Sequence, residues 1–545
     1  MNLPVIDAVL VLALLGGLMW AGYWGRRLVR SVSQFTIAGR EMGMWLGLST
    51  AIAEGIGLIS IANACQQGFR NGFSFIWLSL ASLLLINIPL FGIIGFGIKR
   101  YRATNVQTLP QYYEQRYDRG VRIFAGFVLA LGGVLNMAIF PIVESQFLIE
   151  FLEIPNRELF RINFFGLFSY PIGAFHVVLL ILLALATFFT FLGGMVTVII
   201  TDYIQSVLIY VSVLVVSLLV LKFTDLASMR EAVETHIGPA AFSPLKTHGG
   251  RGIGLVFTLV FLLNAITHRL AFPPALQKMS AAKSPEVVRK MFLLSTIFGQ
   301  GRGILFVAWG IAALALFGPA TPPGFASAEL YHRVVGARFL RTIMEGIPLM
   351  KGIALAGFIF ASISTNDSYL LSWASVIAND CICAVRRRPL PKERHIGVLR
   401  LSAVGIAAFI FLFGCWYDPK QTILQYFYLT GLLFTVVGLI TWFGLYWSRI
   451  TSAGAWACLL SGLALVTGWF IFDKYFMVAT MKAHPNLERF INVDNLMLFG
   501  TLFPAILMIV VSMLTRKPQR FVDYGKKLRE LEEAEREKRN GGQEG

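Results

Sequence analysis

Charge is what this sequence has least of: only 14% of its 545 residues are Asp, Glu, Lys or Arg, against about 25% in an ordinary soluble domain. Too few solvated side chains remain to cover a water-facing globule, because 56% of the chain is hydrophobic and its mean hydropathy is +0.68. Secreted disulfide scaffolds, collagen, disordered tails and cytosolic enzymes are excluded on that ground. An outer-membrane barrel is excluded too, since its strands would be only about 10 residues long and alternating. Cysteine is also scarce. Cys65, Cys381, Cys383, Cys415 and Cys458 fall mostly inside or at the ends of apolar runs, without paired metal spacing, and read as small packing residues. Phosphate-cradling glycine loops, His-Glu-x-x-His and Gly-x-Ser-x-Gly are missing, and no catalytic domain is expected.

Acids are outnumbered, 30 against 47 bases, for a net charge of +17. In a soluble protein such an excess would suggest nucleic acid. In a membrane protein, basic residues gather in cytoplasmic loops and meet anionic lipid, so membrane lipid is expected as a partner and nucleic acid is not.

What the chain does have is long apolar runs. We read spans near residues 5–24, 43–66, 72–98, 121–151, 172–192, 194–222, 253–275, 288–317, 346–382, 397–416, 422–447, 452–472 and 494–514, about thirteen in all. The first run has no basic segment before it and Arg26, Arg27 and Arg30 after it, the reverse of a cleavable signal peptide. Its N-terminus is therefore expected outside. Basic clusters at Arg26–Arg40, Lys99–Arg122, Lys278–Lys290, Arg386–Arg400 and beyond Arg516 then share the cytoplasmic side. The intervening stretches 223–252 and 318–345 read as extracellular loops, and the charged tail as a short solvated helix.

Two spans look interrupted. GLSTAIAEGIGLISIA (47–62) carries three glycines and the lone acid Glu54, and NAITHRLAFPPAL (264–276) carries His268, Arg269, Pro273 and Pro274. Non-helical backbone at membrane depth is tolerated only where it lines a cavity, and broken helices in corresponding halves mark a transporter's binding site. With the first span set aside, the breaks fall in helices one and six of a ten-helix core, as two inverted repeats of five require.

At this point the residues resemble the sodium:solute symporter family, which includes sodium-coupled sugar, proline, pantothenate and sialic acid transporters. FTIAGREMGMWLGLS (35–49), TLPQYYEQRY (108–117), FTFLGGMVTVIITDYIQ (189–205), LQKMSAAKS (276–284), FASISTNDS (360–368) with Asn379-Asp380, and LYWSRITSAGA (445–455) occur in family order over most of the chain. The resemblance implies an all-α polytopic membrane protein of the leucine-transporter type. It would comprise an extra N-terminal helix (1–30), a 5+5 inverted-repeat core with broken helices (31–448), two C-terminal helices (449–515) and a cytoplasmic charged tail (516–545).

It also implies a sodium site formed by the carbonyls of Ala53, Ile56 and Ala361 and the hydroxyls of Ser364 and Thr365. Positions 361, 364 and 365 are spaced i, i+3, i+4 and share one helix face. Sodium, a hard cation, needs about five or six oxygens, and unwound carbonyls plus hydroxyls supply them; the bland alternative is that the hydroxyls only bond the carbonyl a turn back. Asp202 and Asp367 are acids inside apolar spans, each at a cost of about 3 kcal/mol unless compensated. The resemblance puts Asp202, Ser364, Asp367 and Ser368 at a second cation site, with Asp367 standing where some members carry a hydroxyl. A stronger cation site, a pair sharing a proton, and capping acids that face water all remain open.

Positions that contact sugar in the family's sugar carriers read here as Ile59, Ser60, Ala265, His268 and Phe427, which disfavours a sugar. Arg269 and Arg302 suit a carboxylate-bearing solute, because a buried guanidinium seeks a planar anion. Alternatively, Glu54 or Glu144 neutralises them internally. His268 reads as a packed hydrogen-bonding residue before a proton carrier. The expected function is sodium-coupled symport of a small polar solute through the plasma (inner) membrane, with Na+ as coupling ion and no organic cofactor, obligate protein partner or enzymatic activity. A proton-coupled carrier on the same fold and a transporter-like solute sensor are the alternatives, and a membrane enzyme using His268 has no nucleophile motif behind it.

Overall fold

The computed structural model describes residues 3–164, 168–248, 251–386, 390–417, 422–484, 487, 491–516 and 522–541. Helices dominate. We label α1 (Val5–Gly25), α2 (Met44–Gly55), α3 (Leu58–Asn71), α4 (Ser74–Ser82), α5 (Arg119–Leu152), α6 (Ala174–Phe223), α7 (Leu255–Thr267) and α8 (Pro273–Ala281). There follow α9 (Pro285–Phe317), α10 (Ala328–Ile343), α11 (Met350–Val376), α12 (Lys392–Trp416), α13 (Ile423–Tyr446), α14 (Ser452–Tyr475), α15 (Val493–Leu514) and α16 (Tyr524–Gly541).

Their ends follow from local chemistry. Asp118 caps α5 by accepting from Val121 N–H at 2.9 Å, and Ser284 caps α9, which has Pro285 in its first turn. Both use a short polar side chain to satisfy an orphan amide. Thr422 and Gln425 close a reciprocal capping box on α13.

Among the described residues, ten helices are long and apolar enough to cross a membrane, and two further helix pairs are bent spans: α2 with α3 at 54° and α7 with α8 at 45°. α6 is counted there once, yet its 50 residues would reach roughly 75 Å, more than twice a bilayer core of about 30 Å. Gly194 divides it. At φ 54° and ψ −139° the chain leaves helical geometry, and a Cβ at this position would sit 2.3 Å from the Phe35 carbonyl oxygen. Only glycine fits there. Counting the two halves separately is consistent with the thirteen spans expected.

Two departures from regular helix bear on the site. α4 runs on as π-helix over Leu83–Ile93, which contains Pro89 and buried Asn87. α11 runs on as π-helix over Ile377–Cys383, where buried Asp380 receives the Arg122 guanidinium at 2.8 Å. Such π segments recur near functional sites. Outside the spans the stretches read as loops are partly structured: Leu226–His236 and α10 are helices, and β1 (Glu158–Phe164) pairs antiparallel with β2 (Phe168–Gly173) through Ile162 opposite Tyr170.

α13 is buried at the centre of the bundle, whereas α1, α12 and α14 turn most of their surface outward. α11 packs along α6, and α9 along α3. The bend between α2 and α3 is therefore enclosed by α5, α6, α8, α9 and α11, and all the site chemistry lies around it.

Candidate functional site

The first interruption exposes backbone where a continuous helix would hide it. α2 ends at Gly55, Ile56 leaves helical geometry at φ −108° and ψ 57°, and α3 starts after Gly57. A break at this depth orphans carbonyls at the end of α2 and amides at the start of α3. Side chains from other helices meet them. The Arg302 guanidinium, on α9, donates to the Ile52 carbonyl at 3.3 Å, and the Lys278 ammonium, on α8, donates to the Thr50 carbonyl at 3.0 Å. Glu144 of α5 accepts from Ile59 N–H at 3.3 Å. Cations thus face the C-terminal end of one half-helix and a carboxylate faces the N-terminal end of the other, matching their dipoles.

All five residues of the expected sodium site are buried here. Ala53, Ile56, Ala361 and Ser364 show no exposed surface and Thr365 almost none. α2 packs on α11, and a Cβ added to Gly57 would lie 2.7 Å from Thr365 Oγ1, so glycine lets the bend approach that hydroxyl. Ser364 departs from the simple picture, since its hydroxyl donates to Asp202 Oδ1 at 2.5 Å.

Asp202 and Asp367 do not face water: both are fully buried. Asp202 Oδ2 accepts from the Thr50 hydroxyl and lies 3.2 Å from Lys278 Nζ. Lys278 therefore departs from the cytoplasmic basic cluster to which its sequence position assigned it; its side chain is 2% exposed and turned into the bundle. Sequence reasoning missed it because it falls just past the apolar run. Its place one turn after Pro273-Pro274, on the helix that continues a broken span, was the signal available. Ser368 Oγ and both carboxylate oxygens of Asp367 are buried with no hydrogen-bond partner of ordinary geometry among the described residues.

Beside these groups lies a cavity of about 280 Å³ lined by Ala51, Gly55, Ile59 and Ser60 from the first bend, Arg269, Phe272 and Lys278 from the second, Thr365 and Tyr369 from α11, and Phe140 and Phe427. Ser60, Arg269 and Phe427 are thus brought together as expected. Arg269 is held from behind: it donates to Asn87 Oδ1 at 2.9 Å and its guanidinium carbon lies 4.5 Å over the Phe292 ring. His268 is absent from the lining and faces α13, its Nε2 3.0 Å from the Thr435 hydroxyl. Arg302 also stands off the cavity, behind α2, 3.4 Å from the Tyr210 hydroxyl. The Glu54 side chain lies outside the described residues.

Glu144 does not neutralise an arginine. Its Oε2 accepts from Ser362 Oγ and Asn366 Nδ2, both at 2.7 Å, and no ion pair joins it to Arg269 or Arg302 among the described residues. It bridges α3 and α11 instead, with partners that flank Ala361 and Thr365 of the expected sodium site.

Known proteins resemble this chain in sequence and in fold. Sodium/proline symporters of Staphylococcus aureus are 23% identical over 519 residues, covering 92% of this chain and 91% of theirs. A sodium-coupled sialic acid symporter in a substrate-bound outward-open state superposes with a TM-score of 0.73 at 16% identity, over 95% of this chain and 99% of that one. A nucleobase-cation-symport-1 family transporter, closed with bromovinylhydantoin bound, gives 0.55 at 12% identity, over 91% and 97%. Both have the leucine-transporter fold, so this is a multi-pass membrane protein of that architecture, a fold of transporters rather than enzymes. The sequence profile of the sodium:solute symporter family matches residues 162–462, more than half of the molecule, and the chain belongs to that family.

Proposed function

We propose that this protein is a sodium-coupled symporter that carries a small carboxylate-bearing solute inward across the plasma membrane, with its N-terminus outside and its C-terminus in the cytoplasm. The observation that carries the reading is Arg269 on the wall of the 280 Å³ cavity, which Thr365 of the expected sodium site also lines. That volume lies at the small end of ligand pockets, about 300 to 1,000 Å³, and suits a small solute. Arg269 offers it a planar fork, Ser60 and Tyr369 offer hydroxyls, and Phe140, Phe272 and Phe427 offer apolar walls.

Sodium held between the bend and α11 would join two elements that also wall the cavity, so ion and solute favour the same state. A ligand shifts a conformational equilibrium only by its differential affinity for the two states. The driving force is ample, since each charge moving inward gains about 2.3 kcal/mol per 100 mV before the sodium gradient is added.

A second reading rests on Asp202 and Asp367, two buried acids that suit a proton-coupled carrier on the same fold. Thermal stability of the purified protein in sodium or choline chloride, against a panel of carboxylates, amino acids, sugars and amides, separates the readings. The expected outcome is a sodium-dependent rise in melting temperature that grows with a carboxylate and is lost in Arg269→Gln. A shift from acidification in choline alone would favour the proton. Retained carboxylate binding in Arg269→Gln would leave that arginine as scaffold.

A further inference from the structure

Lys278 belongs to two places at once. Its ammonium lies 3.2 Å from Asp202 Oδ2 and 3.0 Å from the Thr50 carbonyl, and its side chain also lines the solute cavity. Asp202 is otherwise held by the hydroxyls of Thr50 and Ser364. Ser364, Asp367 and Ser368 are spaced i, i+3, i+4, so the face of α11 that meets Asp202 also presents Asp367 and Ser368.

The formal charges do not balance. Counted as ionised, two carboxylates against one ammonium leave a charge that a dry interior tolerates only if the pair shares a proton while Lys278 is in place or takes a cation when Lys278 leaves. Asp367 and Ser368 face each other on that side of the helix, and neither side chain has a hydrogen bond of ordinary geometry to a third described residue. Oxygens so placed suit a monovalent cation that takes the place of the ammonium. Lysine is a point charge on a flexible four-carbon stem, able to swing between two anions without moving its backbone.

We propose that Lys278 is a tethered cation that occupies Asp202 until an anionic solute draws it into the cavity, and that its departure admits a sodium ion to the Asp202–Asp367 pair. This rests on the carboxylate reading of the solute given above. Removing the ammonium raises the negative charge of the pair and hence its affinity for sodium. By reciprocity, sodium at the pair raises the affinity for the solute by the same factor. Coupling then needs no contact between solute and ion. One lysine, answering to two carboxylates, carries it.

The test uses sodium alone. Binding of radioactive sodium to the purified full chain, without solute and at constant ionic strength with choline, counts the ions held per molecule. We expect one ion in the unmodified chain, at the Thr365 site, and two in Lys278→Met, the second lost again when Asp202→Asn is added. Lys278→Gln, which keeps a hydrogen-bond donor for Asp202, covers the case in which the methionine variant does not fold. Two ions in the unmodified chain, or one in both variants, would overturn the proposal. Because no solute is present, that failure would leave the carboxylate reading standing, and failure of the Arg269→Gln test would leave this count unchanged.

Discussion

The two interrupted spans bend by comparable angles, 54° between α2 and α3 and 45° between α7 and α8, but they are held by different means. The second bend is local. A 3₁₀ turn at His268–Leu270 leads to Phe272 in extended geometry, and Pro273-Pro274 begins α8, so a helix could not run through. Among the described residues, Trp442 Nε1 donates to its Ile266 carbonyl at 2.9 Å, and His268 meets the Thr435 hydroxyl. The first bend has no proline. Arg302, Lys278 and Glu144, from three other helices, hold its backbone with formal charges. A bend written into the chain is a fixed corner; a bend held by charges from elsewhere can change when ions or anionic ligands change those charges.

The sharpest way to break this comparison is at Glu144. Alanine leaves Ser362, Asn366 and the Ile59 amide without their acceptor in a dry setting, at about 1 kcal/mol or more for each, so we expect a loss of at least ~3 kcal/mol in stability. Glutamine, which keeps an acceptor, should restore most of it. Melting in detergent distinguishes the two, and equal effects would mean that the bend is held by packing alone.

At the other corner, Pro273→Ala with Pro274→Ala removes residues that disfavour continuous helix by about 3 kcal/mol each. The protein should stay folded, because α13 still packs on this segment, while the straightened helix disturbs the cavity at Arg269 and Phe272. Solute uptake should fall and sodium-dependent stabilisation should persist; loss of both would mean the two bends act as one unit.

The smallest effect belongs to Thr365→Ala. Removing one of about five oxygen ligands should raise the sodium concentration needed for half-maximal stabilisation about tenfold, equivalent to ~1.4 kcal/mol, without unfolding the chain. Sodium affinity identical to the unmodified protein would detach Thr365 from the ion.

Residue identity alone determined much of this protein. Apolar runs too long for a soluble core made it a membrane protein, glycine at 55 and 57 and proline at 273 and 274 located both bends, and the i, i+3, i+4 spacing of Ala361, Ser364 and Thr365 put three candidate ligands on one face. These are local properties, readable because backbone conformation and helix periodicity are set by neighbours in the chain. Partnership was not local. Glu144 was open to pairing with Arg269 or Arg302 and instead joins Ser362, Asn366 and Ile59, some 85 to 222 positions away. Lys278 looked like one more surface base and lies 76 positions from the aspartate it meets. His268 and Arg269 are adjacent, yet a 3₁₀ turn sends one against α13 and the other to the cavity wall. In a low-dielectric interior a charge's role depends on which opposite charge or dipole lies within a few ångströms, and only the packing of distant helices decides that.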